Sequence, residues 1–145
     1  MSPIVQRDLG RLLVSICRLH HTRADQAMER IGLYRGQAIL VKVLSQVDGM
    51  THSEIAARLE ISPGAATKVI KRMEQAGYLQ RQTDPGDERV SRVYLLEKGR
   101  TLVAEIDRAF EALNGAMFDG LSEADLERFR ELLTRMHANL QSFQQ

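Results

Sequence analysis

Lys68, Lys71 and Arg72, followed by Arg81, Arg89 and Arg92, are the side chains of this sequence whose types and spacing best suit chemistry with a partner. At about 100° per residue, Gly64, Thr67, Lys68, Lys71 and Gln75 gather on one side of a helix, with Arg72 at the margin. Ala66, Val69, Ile70 and Met73 fall opposite, where a core would want them. The polar side carries no carboxylate, since Glu74 lies laterally. Cationic donors beside a hydroxyl, with no competing acid, suit phosphate oxygens and the base edges of a duplex. Ser62 and Gly64 keep the start of this helix small, so its free N–H groups and positive dipole end can approach a phosphate closely. In this reading Thr67, Lys68 and Lys71 stand nearest bases or flanking phosphates, and Arg72 meets the backbone.

Other chemistry finds less support. Cys17 and His21 are i,i+4 partners with His20 between them, and His137 lies far along the chain, so a metal site or reactive thiol needs consideration. Cys17 follows Ile16 on an apolar stripe, and the reading adopted is an inert buried thiol with no metal site and no cofactor. His52, just after a helix cap, is placed either against a phosphate or in solvent. The chain has no Gly-rich phosphate loop, no metalloprotease helix and no nucleophile with an evident base, so no enzyme is expected.

Local signals say which elements position the cations. Thr51-His52-Ser53-Glu54 is a capping box, starting a helix that ends near Glu60 and buries Ile55, Ala56 and Leu59. Ser62-Pro63 starts a second helix, which runs to Ala76 and stops at Gly77, a C′ glycine. A link from Glu60 to Ser62 is as short as a helix-turn-helix needs. From Tyr78 the period changes to that of strands: residues 78–83, a tip at Asp84-Pro85-Gly86-Asp87-Glu88, and residues 89–95 form a hairpin. Arg81, Arg89 and Arg92 lie along its arms, placed to reach phosphates or a minor groove. Asp87 and Arg89, two apart, share a side, so that Asp87 can accept from the arginine or from N–H groups of the tip.

These residues resemble the MarR family of bacterial transcription regulators. The resemblance runs through Gly32-Leu33 and Gln37, Thr51, Glu54-Ile55-Ala56, Leu59, Glu74, Gly77-Tyr78-Leu79 and Arg81. It is most specific in the wing, at Asp84-Pro85-x-Asp87-x-Arg89 with Val93-x-Leu95 and Gly99. The sequence departs from the pattern at Tyr34, Glu88 and Leu96. The resemblance implies a mainly α fold with a small β-hairpin wing, a winged helix-turn-helix flanked by N- and C-terminal dimerisation helices. It further implies a repressor bound as a dimer to a pseudo-palindromic double-stranded DNA operator, and a small, often aromatic or anionic effector. The effector pocket would be lined by the first helix, the Tyr34 to Leu44 segment and the helix after the wing, with Arg23 and Tyr34 as candidate contacts.

Length and flanks agree. A chain of 145 residues is one domain's worth, divided here into a DNA-binding lobe over 33–96 and a helical dimerisation lobe over 1–31 and 97–145. Net charge is only +1, so the argument rests on where the cations sit. One cysteine, no apolar run of membrane length, and Arg7-Asp8 interrupting any leader point to a cytoplasmic protein without a membrane partner. Residues 4–31 read as one helix about 42 Å long at 1.5 Å per residue, too long for a small domain to cover. Its stripe includes Leu9, Leu12, Leu13 and Ile16. A helix over about 97–119 and another capped by Ser122, with Phe129, Leu133, Met136 and Leu140, add two more apolar stripes. Three such stripes imply a homodimer. Two alternatives stay open on the residues alone: a winged-helix protein-interaction module that does not bind DNA, and a metal- or thiol-responsive sensor, or metal buffer, of similar build.

Overall fold

The capping signals place the helices where the sequence puts them. In the computed structural model, which describes residues 3–143, the order is α1 (Pro3–Arg30), α2 (Arg35–Gln46), β1 (Met50–Thr51), α3 (His52–Leu59), α4 (Pro63–Gln75), β2 (Leu79–Thr83), β3 (Ser91–Leu95), α5 (Glu97–Met117) and α6 (Glu123–Ser142). Thr51 Oγ1 accepts from the Glu54 N–H at 3.2 Å while Glu54 Oε2 accepts from the Thr51 N–H at 2.7 Å, closing the box at the start of α3. Ser62 Oγ accepts from the Ala65 N–H at 3.1 Å and starts α4. Glu60 takes the left-handed conformation between them at φ 54°, and Gly77 does so after α4 at φ 79°. At α2 the cap is half made: the Tyr34 N–H donates to Gln37 Oε1 at 2.9 Å, but a phenol cannot fold back as a serine would.

The hairpin is a three-stranded antiparallel sheet of order β1-β3-β2. Its third strand was not expected. Met50 and Thr51 pair with Val93 and Arg92, so the residues that cap α3 are also hydrogen-bonded into the root of the wing. Asp48 extends the join, accepting from the Leu95 N–H at 3.0 Å and from Arg100 at 2.8 Å.

The chain divides by its internal packing into two compact units, Met1–Glu111 and Ala112–Gln145. In the first, Leu40, Val41, Leu44, Ile55, Ala66, Ile70, Met73, Leu79 and Val93 form a core that also takes in Met28, Leu102 and Ile106. The end of α1 and the first half of α5 thus contribute to the core of the lobe placed at 33–96. What remains uncovered is the rest of α1, where Leu9, Leu12 and Ile16 are exposed and Leu13 is half-buried. Cys17 lies on this uncovered stretch and is exposed in the single chain, contrary to the buried thiol expected. In the second unit, Ser122 caps α6 and forms a box with Asp125. Phe129, Leu133, Met136 and Leu140 are exposed along that helix. No helix among the described residues is long and apolar enough to cross a membrane.

Candidate nucleic-acid interface

Helix α4 is anchored from one side only. Ala66, Ile70 and Met73 are buried, whereas Ser62, Gly64, Thr67, Lys68, Lys71 and Arg72 are exposed. Among the described residues the three cations form no ion pair. A Cβ added at Gly64 would have nothing within 4 Å, so the fold itself does not require glycine there. The Thr67 hydroxyl donates to the Pro63 carbonyl at 3.0 Å, leaving its oxygen facing outward as an acceptor.

The wing sorts its arginines into different tasks. Arg81 pairs across the sheet with Val93, and Arg92 with Gln82, so the two guanidinium groups leave opposite faces of the ribbon. Arg81 turns back to α4, its Nη2 at 2.6 Å and its Nε at 2.9 Å from Glu74 Oε2. That guanidinium holds the Glu74 carboxyl below the usual carboxylate range. Arg92 donates to Asp84 and, at 2.9 Å, to the Gly49 carbonyl. Asp84 Oδ1 meanwhile accepts from the N–H groups of Gly86 at 2.8 Å and Asp87 at 3.2 Å, shaping the tip as an Asx turn. Its carboxyl is held low first by Arg92 and then by the Gly86 N–H. Arg92, expected beside a duplex, is therefore occupied in joining the wing to the β1 turn. Arg89 is the most loosely held: its side chain is 95% exposed, and its ion pair with Asp87 is long, Nε to Oδ1 at 3.9 Å. The same Asp87 oxygen accepts from the Arg89 backbone N–H at 3.0 Å, so its closer hold is on the tip backbone.

Between α3 and the wing lies a groove of about 370 Å³ bordered by Thr51, His52, Ser53, Arg81, Arg89, Val90 and Ser91. Burial and the Arg81 charge push the His52 imidazole below its ordinary pKa, against a smaller opposing effect of Glu74.

A second cavity, of about 310 Å³, opens between α1, α2 and α5 within the first unit. Ala24, Met28, Ala38, Ile39, Val43 and Phe110 make it largely apolar, and His20, His21, Arg35, Lys42 and Gln46 supply its polar groups. Arg35 holds Asp25 through two hydrogen bonds at 2.7 and 2.8 Å, and Lys42 holds Asp107 at 2.5 Å. The lining elements are those expected of an effector pocket, but the two candidate contacts are not among its walls. Arg23 points to Gln26 at 2.9 Å, and Tyr34 is exposed in a shallow groove with Asp25 and Glu29. The helical phase that turns Arg23 and Tyr34 away places Arg35 and Lys42 on the wall of this cavity.

Comparison with known proteins gives one consistent answer. The sequence model of the MarR family matches residues 33–91. The chain is 31% identical over 104 residues to the HTH-type transcriptional regulator TtmR of Methylorubrum extorquens, a match covering 70% of this chain and 53% of that protein. It thus spans about half the length of that relative. Among solved structures, the YusO protein of Bacillus subtilis superposes with a TM-score of 0.82 at 21% identity, over 95% of this chain and 98% of that one. BpsR of Bordetella bronchiseptica superposes with a TM-score of 0.71 at 25% identity, over 90% and 98%. Residues 33–91, which hold the capped helices and the wing, carry the sequence pattern of the MarR family, and the described fold is that of these neighbours.

Proposed function

We propose that the protein is a sequence-specific, double-stranded DNA-binding transcription regulator, acting as a homodimeric repressor on a pseudo-palindromic operator. The observation that carries this is the cationic face of α4, without ion pairs among the described residues, anchored from behind by a buried stripe and flanked by the exposed guanidinium of Arg89. Each α4 enters a major groove, with Thr67, Lys68 and Lys71 nearest bases or flanking phosphates, and each wing reaches outward to the adjacent minor groove. Half-site centres then lie about 10 to 10.5 bp apart.

The test is a salt titration on a duplex selected from genomic fragments by the purified protein. Lys71→Ala is expected to weaken binding to all duplexes alike and to flatten the slope of log affinity against log salt by about one unit. An unchanged slope removes Lys71 from the interface. Retained affinity after substitution of Thr67, Lys68 and Lys71 in turn removes the whole face.

Assembly follows from the exposed apolar stripes. Leu9, Leu12, Leu13 and Ile16 on α1 and Phe129, Leu133, Met136 and Leu140 on α6 are read as the surface buried against a second copy. Sedimentation should give about 33 kDa, twice the chain mass of 16.4 kDa. Leu133→Asp should shift the protein to monomer and abolish operator binding, because it puts a charge among desolvated side chains. A wild-type monomer that binds operator overturns the reading.

The cavity between α1, α2 and α5 is read as an effector site for a small aromatic or anionic molecule. Apolar walls beside Arg35, Lys42 and two histidines suit a flat ring carrying negative charge. In BpsR, DNA binding is described as regulated by 6-hydroxynicotinic acid, a molecule of that kind.

A further inference from the structure

His52 has a buried Nε2 with no hydrogen-bond partner, the one such side-chain atom found among the described residues. It stands beside the groove bordered by Thr51, Ser53, Arg81, Arg89 and Ser91. Such a position is costly for a polar atom unless something outside the free protein completes it. The groove is bordered by the exposed guanidinium of Arg89, by that of Arg81, which is also bonded to Glu74, and by three hydroxyls, with no carboxylate among its lining residues, a donor set suited to an anion with several oxygens. It lies between the first helix of the helix-turn-helix and the wing, on the path of the backbone that separates a major groove read by α4 from a minor groove met by Arg89. We infer that this groove holds a backbone phosphodiester of bound DNA and that His52 takes up a proton as the phosphate enters, making the protein's affinity for duplex pH-dependent. The inference rests on the DNA-binding reading given above.

The charges around the imidazole set the direction. Glu74 from α4 and Arg81 from β2 act on it and are bonded to one another. Glu54, on its own helix, is committed to the Thr51 N–H, and Arg92 from β3 to Asp84. From α2, Arg35 and Lys42 are paired with Asp25 and Asp107. At the tip, Asp87 is bonded to the Arg89 backbone N–H and holds the Arg89 guanidinium only at 3.9 Å. In the free protein burial and Arg81 therefore keep His52 neutral, with its pKa below 6.5. A phosphate in the groove adds negative charge that offsets Arg81 and raises that pKa. By linkage, DNA affinity rises as pH falls toward the histidine range. The free fold shows the opposite sign: its folded state binds fewer protons at His52 than the unfolded chain does, so stability declines as pH falls through 6.5.

The experiment measures binding of the full chain to a mixed-sequence duplex at low salt, by fluorescence anisotropy, from about pH 8 down to about pH 5.5. Wild type should tighten about tenfold more over this window than His52→Gln, which keeps a polar side chain but cannot titrate. Parallel profiles overturn proton uptake while leaving DNA binding intact. A protein that binds no duplex at any pH overturns both readings. The His52 ring resonances of wild type, followed by NMR, need no variant: the pKa should rise when duplex is added, and an unmoved pKa overturns the inference.

Discussion

Gly99→Ala is expected to lower the free energy of unfolding by about 3 kcal/mol, among the largest effects a single methyl can have. A Cβ at that position would lie 2.2 Å from the Tyr78 carbonyl oxygen and 2.9 Å from Leu95 Cδ2. The first of these neighbours is backbone, so a rotamer change cannot relieve it. Helix α5 would have to lift away from the start of the wing. In doing so it would loosen the Leu96 N–H bond to that same carbonyl, the Lys98 bond to the Ala76 carbonyl at 2.8 Å, and the Lys98 ammonium 4.5 Å from the centre of the Tyr78 ring. The measurement is the urea midpoint of Gly99→Ala beside Gly115→Ala. Gly115 lies in the same helix but has nothing within 4 Å of an added Cβ, so there alanine should be neutral or stabilise by up to about 1 kcal/mol through helix propensity. Equal midpoints for the two variants would show that the close approach of α5 to Tyr78 is not what holds the lobe together.

Among the side chains proposed to face DNA, Arg89→Ala should be the most damaging substitution, weakening binding about ten- to a hundredfold per subunit. Its guanidinium is 95% exposed and tied to nothing nearer than Asp87 at 3.9 Å, so the free protein loses little when it is removed. The effect falls on the complex. A/T-rich flanks, whose narrow minor groove concentrates negative potential, should suffer most. Competition between operators differing only in their flanks measures this, and an equal loss on A/T-rich and G/C-rich flanks would assign Arg89 to phosphate alone. Asp87→Ala should act more weakly, through the tip backbone that Asp87 holds at the Arg89 N–H. Arg92→Ala belongs to a different class and should disturb the join of the wing to the Gly49 turn.

These contrasts mark where the sequence was legible. Capping boxes, the Ser62-Pro63 start, the Gly77 stop and the hairpin are local: each is decided by residues a few positions apart and stands close to where expected, except that Arg89 and Val90 belong to the hairpin tip rather than to its second strand. The roles of Arg81 and Arg92 depend on Glu74 and Asp84, seven and eight residues away, through a strand register that residue types alone do not announce. Strand β1 escaped notice because two residues carry no periodicity. Asp48 gave no signal because its partners, Leu95 and Arg100, are 47 and 52 residues distant. At the cavity between α1, α2 and α5, Arg35 and Lys42 line the wall and Arg23 and Tyr34 do not, a difference set by the rotation of each helix about its axis that residue types alone do not announce. The placement of Cys17 failed for a related reason. A stripe on α1 says which residues want cover, but not whether the same chain supplies it.

The winged-helix core is bracketed by Met28 on one side and Ile106 on the other, and this imposes an order on synthesis. While a nascent chain has emerged only as far as Leu95, the reading helix and the wing exist as sequence, but Leu102 and Ile106 are still inside the ribosome. The apolar surface they will cover is then open to water and to other chains. The basic face of α4 thus acquires its rigid backing only after α5 is out, and a message truncated within α5 would yield an aggregation-prone fragment rather than a weak but working DNA reader.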